Sequence, residues 1–348
     1  MIRPGRGTIL FAAALALAGC TRSEAKRKAA KATVRFVTVQ PDVRLEVLDW
    51  GGSGRALVLL AGSGNSAYVF DELAPKLTAC CRVYAISRRG YGASSQPASG
   101  YDEQRLADDV LAVLDGLNIE APVLIGHSMA GNEITTLARQ HPTRVSGLVY
   151  LDALGDPKDF PSSDPEHQKL LAKLPRPPEP SPPCQPDTES FAGYRAWQLC
   201  TGGFAFPESE LRSGFATNPD GSMGRYKTPR SIHEAIGDGA MKRDYNGIRV
   251  PVLVLAELPL PGDPPFRPGD PPPKNADERA ALIAFRDNLK PYVDRWIASL
   301  KRAVPDARVV DVPGGGHFLF FTQEAKVLRE VRAFVTVVAE HERQRSRR

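Results

Sequence analysis

Cysteine, histidine and aromatic residues are scarce in this chain, which has five Cys, six His and 7% aromatic residues among 348. It contains no C-x-x-C pair and no closely spaced His set, so it offers no metal-ligand pattern. It also lacks a concentrated basic face: the formal charge is +5, and acids and bases are mixed along most of the chain. These absences argue against a zinc module and against a nucleic-acid-binding protein.

The rest of the composition is that of an ordinary globular protein. Hydrophobic residues make up 42% of the chain and charged residues 24%, both close to typical values. The length suits one large α/β domain with insertions, or two modest domains. No internal repeat is found, and a solvated tail explains the basic C-terminal residues 342–348.

Residues 1–19 are expected to be a targeting segment rather than part of the fold. The positive stretch MIRPGRG precedes the apolar run TILFAAALALAG, which is too short to span a bilayer comfortably. The run ends in LAGC, which resembles a bacterial lipobox and implies that Cys20 receives a lipid; the alternative is an ordinary secretory signal with a chance cysteine. By resemblance to enterobacterial sorting, Thr21 favours the outer membrane over the inner one. We therefore expect an exported lipoprotein facing the periplasm or cell exterior, anchored through the tether 20–32.

Export would place the remaining cysteines in an oxidising compartment, where disulfides form. Cys184 and Cys200 flank one segment, so we predict a disulfide between them that closes a loop of 16 residues. Cys80 and Cys81 are adjacent, and buried small hydrophobic residues explain them better than a strained bridge between neighbours.

Short apolar runs alternate with segments of helical period through most of the chain. Near the start, TVRFVTV and VRLEVLDW are expected to be paired strands. The later runs are typical of strands covered on both faces; they are ALVLLAG (56–62), CRVYAIS (81–87), PVLIGH (122–127), VSGLVYLDA (145–153) and VPVLVLAE (250–257). Helices are expected over AYVFDELAPKL, 102–117, 129–141, 276–302 and about 322–340. This alternation predicts the α/β class, with a mostly parallel sheet flanked by helices.

The strand–helix rhythm stops after Asp152 and resumes near residue 250. Residues 155–188 contain ten prolines, and the only periodic stretches that follow are three short helices, ESFAGYRAWQLC, PESELRSGFA and SIHEAIGDGAM. We interpret 153–249 as a helical cap inserted into a core formed by 33–152 and 250–341. A second proline-rich stretch, 258–274, interrupts the later core.

The segment PVLIGHSMAGNE (122–133) puts a serine between small residues, directly after an apparent buried strand. A chain that turns sharply from strand to helix strains the residue at the apex and passes close to itself, so small neighbours are needed. Gly126 and Ala130 supply that room, and Gly131 lies beyond. Ser128 is thereby exposed at the carboxyl end of the strand and at the start of a helix, where backbone N–H groups favour negative charge.

A serine hydroxyl needs a base, and the developing oxyanion needs two fixed N–H donors. His317, in the glycine-rich PGGGHF after the last strand, is the histidine placed to act as the base. His127 is expected to pack away from the serine, and His141 to occupy a turn. We assign the oxyanion donors to the amides of Met129, directly after the nucleophile, and Ser63, in the turn after ALVLLAG.

Taken together, LLAGSGNS, RRGYGASS, GHSMAG, RVSGLVYLDA and GGGHF resemble the α/β-hydrolase family in order and spacing, over about residues 45–340. The resemblance is closest to small esterase- and haloperoxidase-like members with a helical cap, and it implies the α/β-hydrolase fold. Many relatives have His-Gly where this chain has Ala61-Gly62, a difference that bears on substrate fit more than on chemistry.

This chain also departs from the family pattern in the position of the acid, the third member of a Ser-His-acid catalytic triad. Relatives commonly place it after the strand VPVLVLAE, where this chain has Leu260; the nearest acids are Glu257 and Asp263. Another branch places it at the end of the strand before the cap, which here gives Asp152. We favour Asp152 because it already lies at a strand end, beside the strand that leads to Ser128, and we keep Asp263 and then Glu257 as alternatives.

The resemblance implies a serine hydrolase that cleaves a carboxylic ester of a small acyl substrate, with no metal or organic cofactor. An amidase, thioesterase, lactonase or perhydrolase would use the same residues. A binding or sensory protein that retains the hydrolase frame, or a structural envelope lipoprotein, is the alternative from another class. The aromatic residues of the cap are expected mostly to pack its own core, with one or two lining an apolar pocket; they are Phe191, Tyr194, Trp197, Phe204 and Phe206.

Overall fold

The central feature of the computed structural model is one eight-stranded sheet. The model describes residues 31–156, 158–159, 165–173, 184, 189–259 and 273–347. The strands of the sheet are β1 (Thr33–Gln40), β2 (Val43–Gly51), β3 (Arg55–Leu60), β4 (Cys81–Ile86), β5 (Val123–His127), β6 (Gly147–Leu151), β9 (Val252–Ala256) and β10 (Arg308–Asp311), and β7 (Phe215–Thr217) and β8 (Met223–Tyr226) form a separate hairpin.

The order across the sheet is β1-β2-β4-β3-β5-β6-β9-β10. The pairs β1·β2 and β2·β4 are antiparallel, and all other neighbouring pairs are parallel. The expected α/β-hydrolase architecture, a mostly parallel sheet that begins with a paired strand, is confirmed. Because parallel strands all end at the same edge, the loops that follow β3, β5, β6 and β10 lie on one side of the sheet.

The apolar runs of the central strands contribute side chains to two hydrophobic cores, one on each face of the sheet. In β3, Leu57 and Leu59 pack into the core on one face, whereas Val58 and Leu60 pack into the core on the other. Side chains alternate between faces along a strand, so a strand covered on both sides must be apolar at every position. This explains why ALVLLAG has no polar alternation.

Helices cover both faces of this sheet. The helices of the described chain are α1 (Ala74–Leu77), α2 (Glu103–Gly116), α3 (Ala130–Gln140), α4 (Pro165–Lys173), α5 (Phe191–Gly202), α6 (Glu208–Gly214), α7 (Arg230–Gly239), α8 (Ala276–Ala303), α9 (Leu319–Thr322) and α10 (Glu324–Arg345), with a 3₁₀ helix over Ala67–Phe70. Residues of α2, α3 and α8 belong to the core with Val58, and residues of α1 and α10 to the core with Leu57. Side chains define the starts: the Asp102 carboxylate caps α2 and the Asn275 side chain caps α8.

Two predicted helices differ from those in the structure. AYVFDELAPKL forms the 3₁₀ helix and the one-turn α1 instead of a single helix, because Pro75 occupies the first turn of α1 and cannot continue a helix from before it. The final helix runs to Arg345, into the stretch expected to be a tail. Its last turns are held because Val338 is buried and Glu342 pairs with Arg55.

The inserted segment (residues 153–249) contains α4 to α7 and the β7–β8 hairpin. The hairpin was not predicted, although its turn carries the turn-forming sequence Asn-Pro-Asp-Gly, with Gly221 at φ +87°. Helix α4, also unpredicted, lies against α8, where the His167 ring bonds the side chain of Asn288. The structure joins Cys184 to Cys200 as a disulfide.

The other two described cysteines are free thiols. Cys81 is buried as expected, whereas Cys80 is exposed, so the expectation of burial was wrong for Cys80. Burial, with the neighbouring Cys80, raises the pKa of the Cys81 thiol to about 12. Cys20 lies outside the described residues. No helix within the described ranges is long and apolar enough to cross a bilayer.

Candidate active site

Ser128 stands at a sharp turn between β5 and α3. Its φ of +54° lies in the left-handed region, which is costly for a residue with a side chain. The turn leaves no room for larger neighbours: a Cβ added to Gly126 would lie 2.9 Å from the carbonyl oxygen of Ala130. One added to Gly131 would lie 2.7 Å from that of Ala153. The backbone therefore has the strand–turn–helix form that exposes a nucleophile at the carboxyl edge of a sheet.

A hydrogen bond joins His317 to Asp152. Nδ1 of the imidazole lies 2.7 Å from Oδ2 of the carboxylate, so Nδ1 donates and Nε2 is left for another proton. Asp152 directly follows β6, and its amide donates to the carbonyl of Leu255 at 2.8 Å. Since β6 pairs with β5, the carboxylate lies at the same edge of the sheet as Ser128.

The imidazole of His317 also lies beside the residue that precedes the serine. The ring centroids of His127 and His317 are 4.6 Å apart. Within the described chain no hydrogen bond joins the Ser128 hydroxyl to His317. Bonds between nucleophile and base are often long until substrate binds, so this arrangement is compatible with a relay from serine to imidazole to carboxylate.

The alternative acids differ in their positions. Within the described residues Glu257 makes no hydrogen bond to the imidazole; its Oε2 accepts from the amide of Gly316 at 2.7 Å and its Oε1 from the amide of Gly314 at 3.3 Å. Its carboxylate therefore shapes the loop that carries His317. Asp263 lies outside the described residues.

His127 holds the loop that carries His317 from the protein interior, a role that the sequence did not reveal. Its ring is fully buried, and Nε2 donates to the backbone oxygen of His317 at 2.8 Å. Nδ1 has no partner within the described part of the chain. Burial, and then the neighbouring His317, lower the pKa of His127 to about 3, so this ring stays neutral and keeps its proton on Nε2.

The two residues assigned as oxyanion donors are Met129, which directly follows the serine, and Ser63, which lies in the loop after β3. Ser63 is exposed and Met129 is half-buried, and in the described residues neither amide donates a hydrogen bond within the chain. The backbone of the loop after β3 touches the nucleophile, because a Cβ added to Gly62 would lie 3.0 Å from Cβ of Ser128. Both N–H groups are therefore left without an acceptor among the described residues, and the loop that carries Ser63 passes close to the serine.

Arg88 holds the loop after β3 from within the core. Its Nη2 donates to the carbonyl of Ala61 at 2.8 Å and its Nη1 to that of Gly62 at 3.4 Å. Its Nε donates to Glu133 of α3 at 2.5 Å, and both side chains are buried. Burial raises the pKa of Glu133 despite the opposing charge of Arg88. Arg88 belongs to the motif RRGYGASS, but its contacts could not be inferred from the motif.

Two aromatic residues of the inserted segment reach the loop of His317. Phe206 packs edge-on against Phe318 with centroids 5.0 Å apart, and Phe204 stacks on Phe321 at 5.4 Å. Tyr194 instead packs within the segment, against Trp197 and Phe215.

In the described ranges, no group of three or more His, Cys, Asp or Glu side chains could hold a metal ion.

Comparison with known proteins identifies the family of the chain. Residues 57–330 match the model of the alpha/beta hydrolase family. This match covers most of the chain, together with every residue of the candidate site. The chain belongs to the α/β hydrolase family.

Individual relatives share parts of the chain. The AB hydrolase superfamily protein YisY of Bacillus subtilis is 26% identical over 304 residues, 84% of this chain and 95% of its own length. The mouse bifunctional epoxide hydrolase 2 is 34% identical over 143 residues, 40% of this chain. This chain spans only 25% of that protein, and 36% of the 2-(acetamidomethylene)succinate hydrolase of Mesorhizobium japonicum.

Solved structures share the fold. The E-2-(acetamidomethylene)succinate hydrolase superposes with a TM-score of 0.61 at 20% identity, covering 88% of this chain and 99% of that one. The esterase RhEst1 of Rhodococcus sp. ECU1013 gives a TM-score of 0.54 at 20% identity, with coverage of 88% and 99%. At such identities the likeness concerns the fold, and substrates do not transfer with it.

Proposed function

We propose that the protein is a serine hydrolase that cleaves a carboxylic ester through an acyl-enzyme, with Ser128, His317 and Asp152 as its triad. The observation that carries the proposal is the 2.7 Å bond from His317 Nδ1 to Asp152 Oδ2, at the sheet edge where Ser128 occupies a strained turn. A buried structural serine would need neither the strain nor an imidazole oriented by a carboxylate.

In the proposed mechanism Ser128 Oγ attacks the ester carbonyl carbon while Nε2 of His317 takes the hydroxyl proton. Asp152 keeps the proton of the imidazole on Nδ1 and stabilises the imidazolium that forms. The amides of Ser63 and Met129 donate to the oxyanion. The C–O bond to the alcohol then breaks, and His317 returns its proton to the leaving oxygen. Water attacks the acyl-enzyme by the same steps and releases the acid.

The similarity to epoxide hydrolases does not extend to their chemistry in this proposal. In this family, epoxide opening uses an aspartate nucleophile, whereas the apex of the turn here is Ser128. We further propose that the inserted segment acts as a cap over the substrate. Its Phe204 and Phe206 lie against the loop of His317, which favours an apolar acyl or aryl group at that side.

Covalent labelling with a fluorophosphonate tests the proposal. The wild-type protein is expected to incorporate one label at Ser128 and the Ser128→Ala variant none. Steady-state rates with p-nitrophenyl esters of rising acyl length, and with matched amide, thioester and lactone substrates, would then identify the preferred bond. A folded wild-type protein that takes no label and hydrolyses none of these substrates would support the non-catalytic alternative, a binding or sensory protein.

We also propose that the chain is exported and lipid-anchored through Cys20. The support is the leader sequence that ends in LAGC, and the Cys184–Cys200 disulfide, a bond typical of oxidising compartments. Metabolic labelling with palmitate in a bacterial host should mark the wild-type chain and leave the Cys20→Ser variant unmarked. Equal labelling of the two would refute the anchor, and fractionation of the host membranes would show which one holds the protein.

A further inference from the structure

The loop that carries the assigned oxyanion donor is held by side chains of the inserted segment. Glu210 of α6 accepts from Asn65 Nδ2 and from the Ser66 amide, both at 3.0 Å, through Oε1, and from Ser66 Oγ at 2.5 Å through Oε2. Tyr226 of β8 donates its hydroxyl proton to the carbonyl of Gly64 at 2.7 Å. Three consecutive residues of the loop are thus bonded to the inserted segment.

The position of this loop determines where the Ser63 amide points. A turn closes between the amide of Asn65 and the carbonyl of Gly62, 3.4 Å apart, so Ser63 lies inside it. Gly62 is in contact with Ser128, as described above. A displacement of Asn65 and Ser66 therefore moves the Ser63 amide relative to the nucleophile, and displacements near 1 Å cost about 100-fold in rate.

Glu210 is an unusual residue for a purely structural contact. Its side chain is 4% exposed, and the three groups that donate to it are neutral. Its charged neighbour in the described chain, Asp71, is itself an acid. Burying an ionised carboxylate without a cation beside it costs free energy. Burying the neutral amide of a glutamine, which has the same shape, would avoid the cost of burying a charge. An ionised acceptor does form stronger hydrogen bonds, which is an advantage where a loop must be fixed.

We propose that Glu210 is a positioning residue of the oxyanion hole, whose carboxylate fixes Asn65 and Ser66 and thereby aims the Ser63 amide at the oxyanion. The proposal rests on the proposed function, because it takes Ser63 as an oxyanion donor. It adds that the inserted segment, besides covering the substrate, completes the catalytic geometry from α6.

The charge of Glu210 depends on pH in an accessible range. Burial, with a smaller contribution from Asp71, raises the pKa of Glu210 to about 7. The titratable groups that face it are Asp71, at the end of the 3₁₀ helix, and Tyr226, on β8. Burial also raises the pKa of Tyr226, so its hydroxyl remains neutral. When Glu210 gains a proton, one of its oxygens becomes a donor, and its hold on the loop weakens.

Glu210→Gln imitates the protonated state at constant shape and provides the test. The matched control is Glu208→Gln on the same helix, where Glu208 is exposed, pairs with Arg212 and makes no hydrogen bond to the loop among the described residues. At about pH 8.5, with p-nitrophenyl butyrate, we expect kcat of Glu210→Gln to fall about 10-fold and KM to change less than about 2-fold. The rate of phosphonate labelling at Ser128 should fall in parallel, and the control should match the wild type.

At about pH 6 the ratio of wild-type to Glu210→Gln kcat should approach one, because the wild-type residue is then protonated as well. Any effect of pH that both proteins share cancels in the ratio. A Glu210→Gln variant that equals Glu208→Gln at every pH, or that changes KM alone, would overturn the inference and leave the proposed function intact.

If Glu210→Gln does not fold, as judged by near-UV circular dichroism, Asn65→Ala removes one donor to the carboxylate and leaves Glu210 in place. It should show the same selective loss of kcat at about pH 8.5, and unchanged kcat would count against the inference. A wild-type protein without esterase activity and without phosphonate labelling would remove the proposed function, and this inference with it.

Discussion

Two residues of the candidate site adopt backbone conformations that side chains rarely allow. Among the described residues, four that are not glycine have positive φ: Asp42, Asn118, Ser128 and Asp152. Asp42 lies in the hairpin turn between β1 and β2, and Asn118 follows α2; Asp and Asn tolerate such turns. Ser128 and Asp152 each end a strand at the same sheet edge, where strain is characteristic of functional positions.

The carboxylate partner of His317 can be identified by one substitution. Asp152→Asn preserves the shape and tolerates the positive φ of +43°, but the amide can present a donor to Nδ1 and favour the wrong tautomer. We expect kcat for a p-nitrophenyl ester to fall by about 10³- to 10⁴-fold, the scale that the equivalent change has in serine proteases. Circular dichroism should show an intact fold.

Substitutions at the two other acids supply the comparison. Glu257→Gln retains an oxygen that accepts from the Gly316 amide, so kcat should fall by less than about 10-fold. Asp263→Asn should leave kcat close to the wild-type value. If kcat collapses in Asp263→Asn or Glu257→Gln and survives in Asp152→Asn, the assignment of the acid must change accordingly.

Burial of Glu210 predicts a specific dependence of stability on pH. Its folded pKa of about 7 exceeds the ordinary value of 4.5, so between these values the folded state binds more protons than the unfolded state. The contribution of this group to the free energy of unfolding is therefore full below about pH 4.5 and is lost as the pH rises through about 7, by about 3 kcal/mol. Glu210→Gln does not titrate and should lack this loss.

Urea unfolding at about pH 5 and about pH 8 measures the effect as a difference between wild type and Glu210→Gln at each pH. The wild type should lose stability relative to the variant at the higher pH. A difference that does not change with pH would show that the carboxylate titrates normally in the folded protein.

At the scale of elements, the loop after β3 is held from both sides. Arg88, which follows β4 closely, bonds the carbonyls of Ala61 and Gly62 from the core side. Glu210 of α6 and Tyr226 of β8 bond the next residues from the inserted segment. If this loop were held weakly, the amide of Ser63, the proposed oxyanion donor, would be free to move, and a fixed donor is what the proposed role needs.

Gly62 is the tightest point of that arrangement. An added Cβ would lie 2.8 Å from Nδ1 of His127 and 3.0 Å from Cβ of Ser128, so Gly62→Ala must displace the loop or the nucleophile. We expect kcat to fall by about 100-fold. The rate at which Ser128 is labelled by the fluorophosphonate should fall to a similar degree.

Gly237→Ala is the matched control, because a Cβ at this α7 position meets nothing within 4 Å. It should keep full activity and gain about 0.5–1 kcal/mol of stability, since alanine favours a helix over glycine. Equal kcat values for the two alanine variants would show that the contact at Gly62 has no catalytic consequence.

At the scale of the whole molecule, the sheet brings together residues that are distant in sequence. His317 and Asp152 are separated by 165 residues, and each reaches the site because a parallel strand delivers it to the same edge. The inserted segment leaves the sheet after β6 and returns at β9, a neighbouring strand. A long insertion at this point therefore does not interrupt the strand order.

The Cys184–Cys200 disulfide closes a loop of 16 residues within the inserted segment. Replacing both residues by serine should reduce the free energy of unfolding by about 3 kcal/mol, mainly through the entropy of the unfolded chain. The midpoint of urea unfolding measures this loss. Cys80→Ser, at an exposed free thiol, is the control and should change the midpoint little. Equal midpoints for the double-serine variant and wild type would mean that the bond contributes nothing to stability.

The fold and the main positions of the site were accessible from local patterns. Apolar runs separated by helical segments predicted the sheet. Ser128, Asp152 and His317 each follow one of its strands, and this order predicted that they lie at the carboxyl edge of the sheet. The roles of these residues remain predictions that the experiments above test. The β7–β8 hairpin was missed because its strands are only three and four residues long, too short for a periodic signal.

Hydrophobic period and small flanking residues act over a few positions of the chain, so they were enough to predict which residues end the strands. The three-dimensional fold was needed to find that His127 bonds the backbone of His317, that Arg88 bonds the carbonyls of Ala61 and Gly62, and that Glu210 bonds Asn65 and Ser66. These contacts join segments between 26 and 190 residues apart. Such pairings depend on how packed elements approach one another in space, and a local sequence pattern carries no information about the distance between remote segments.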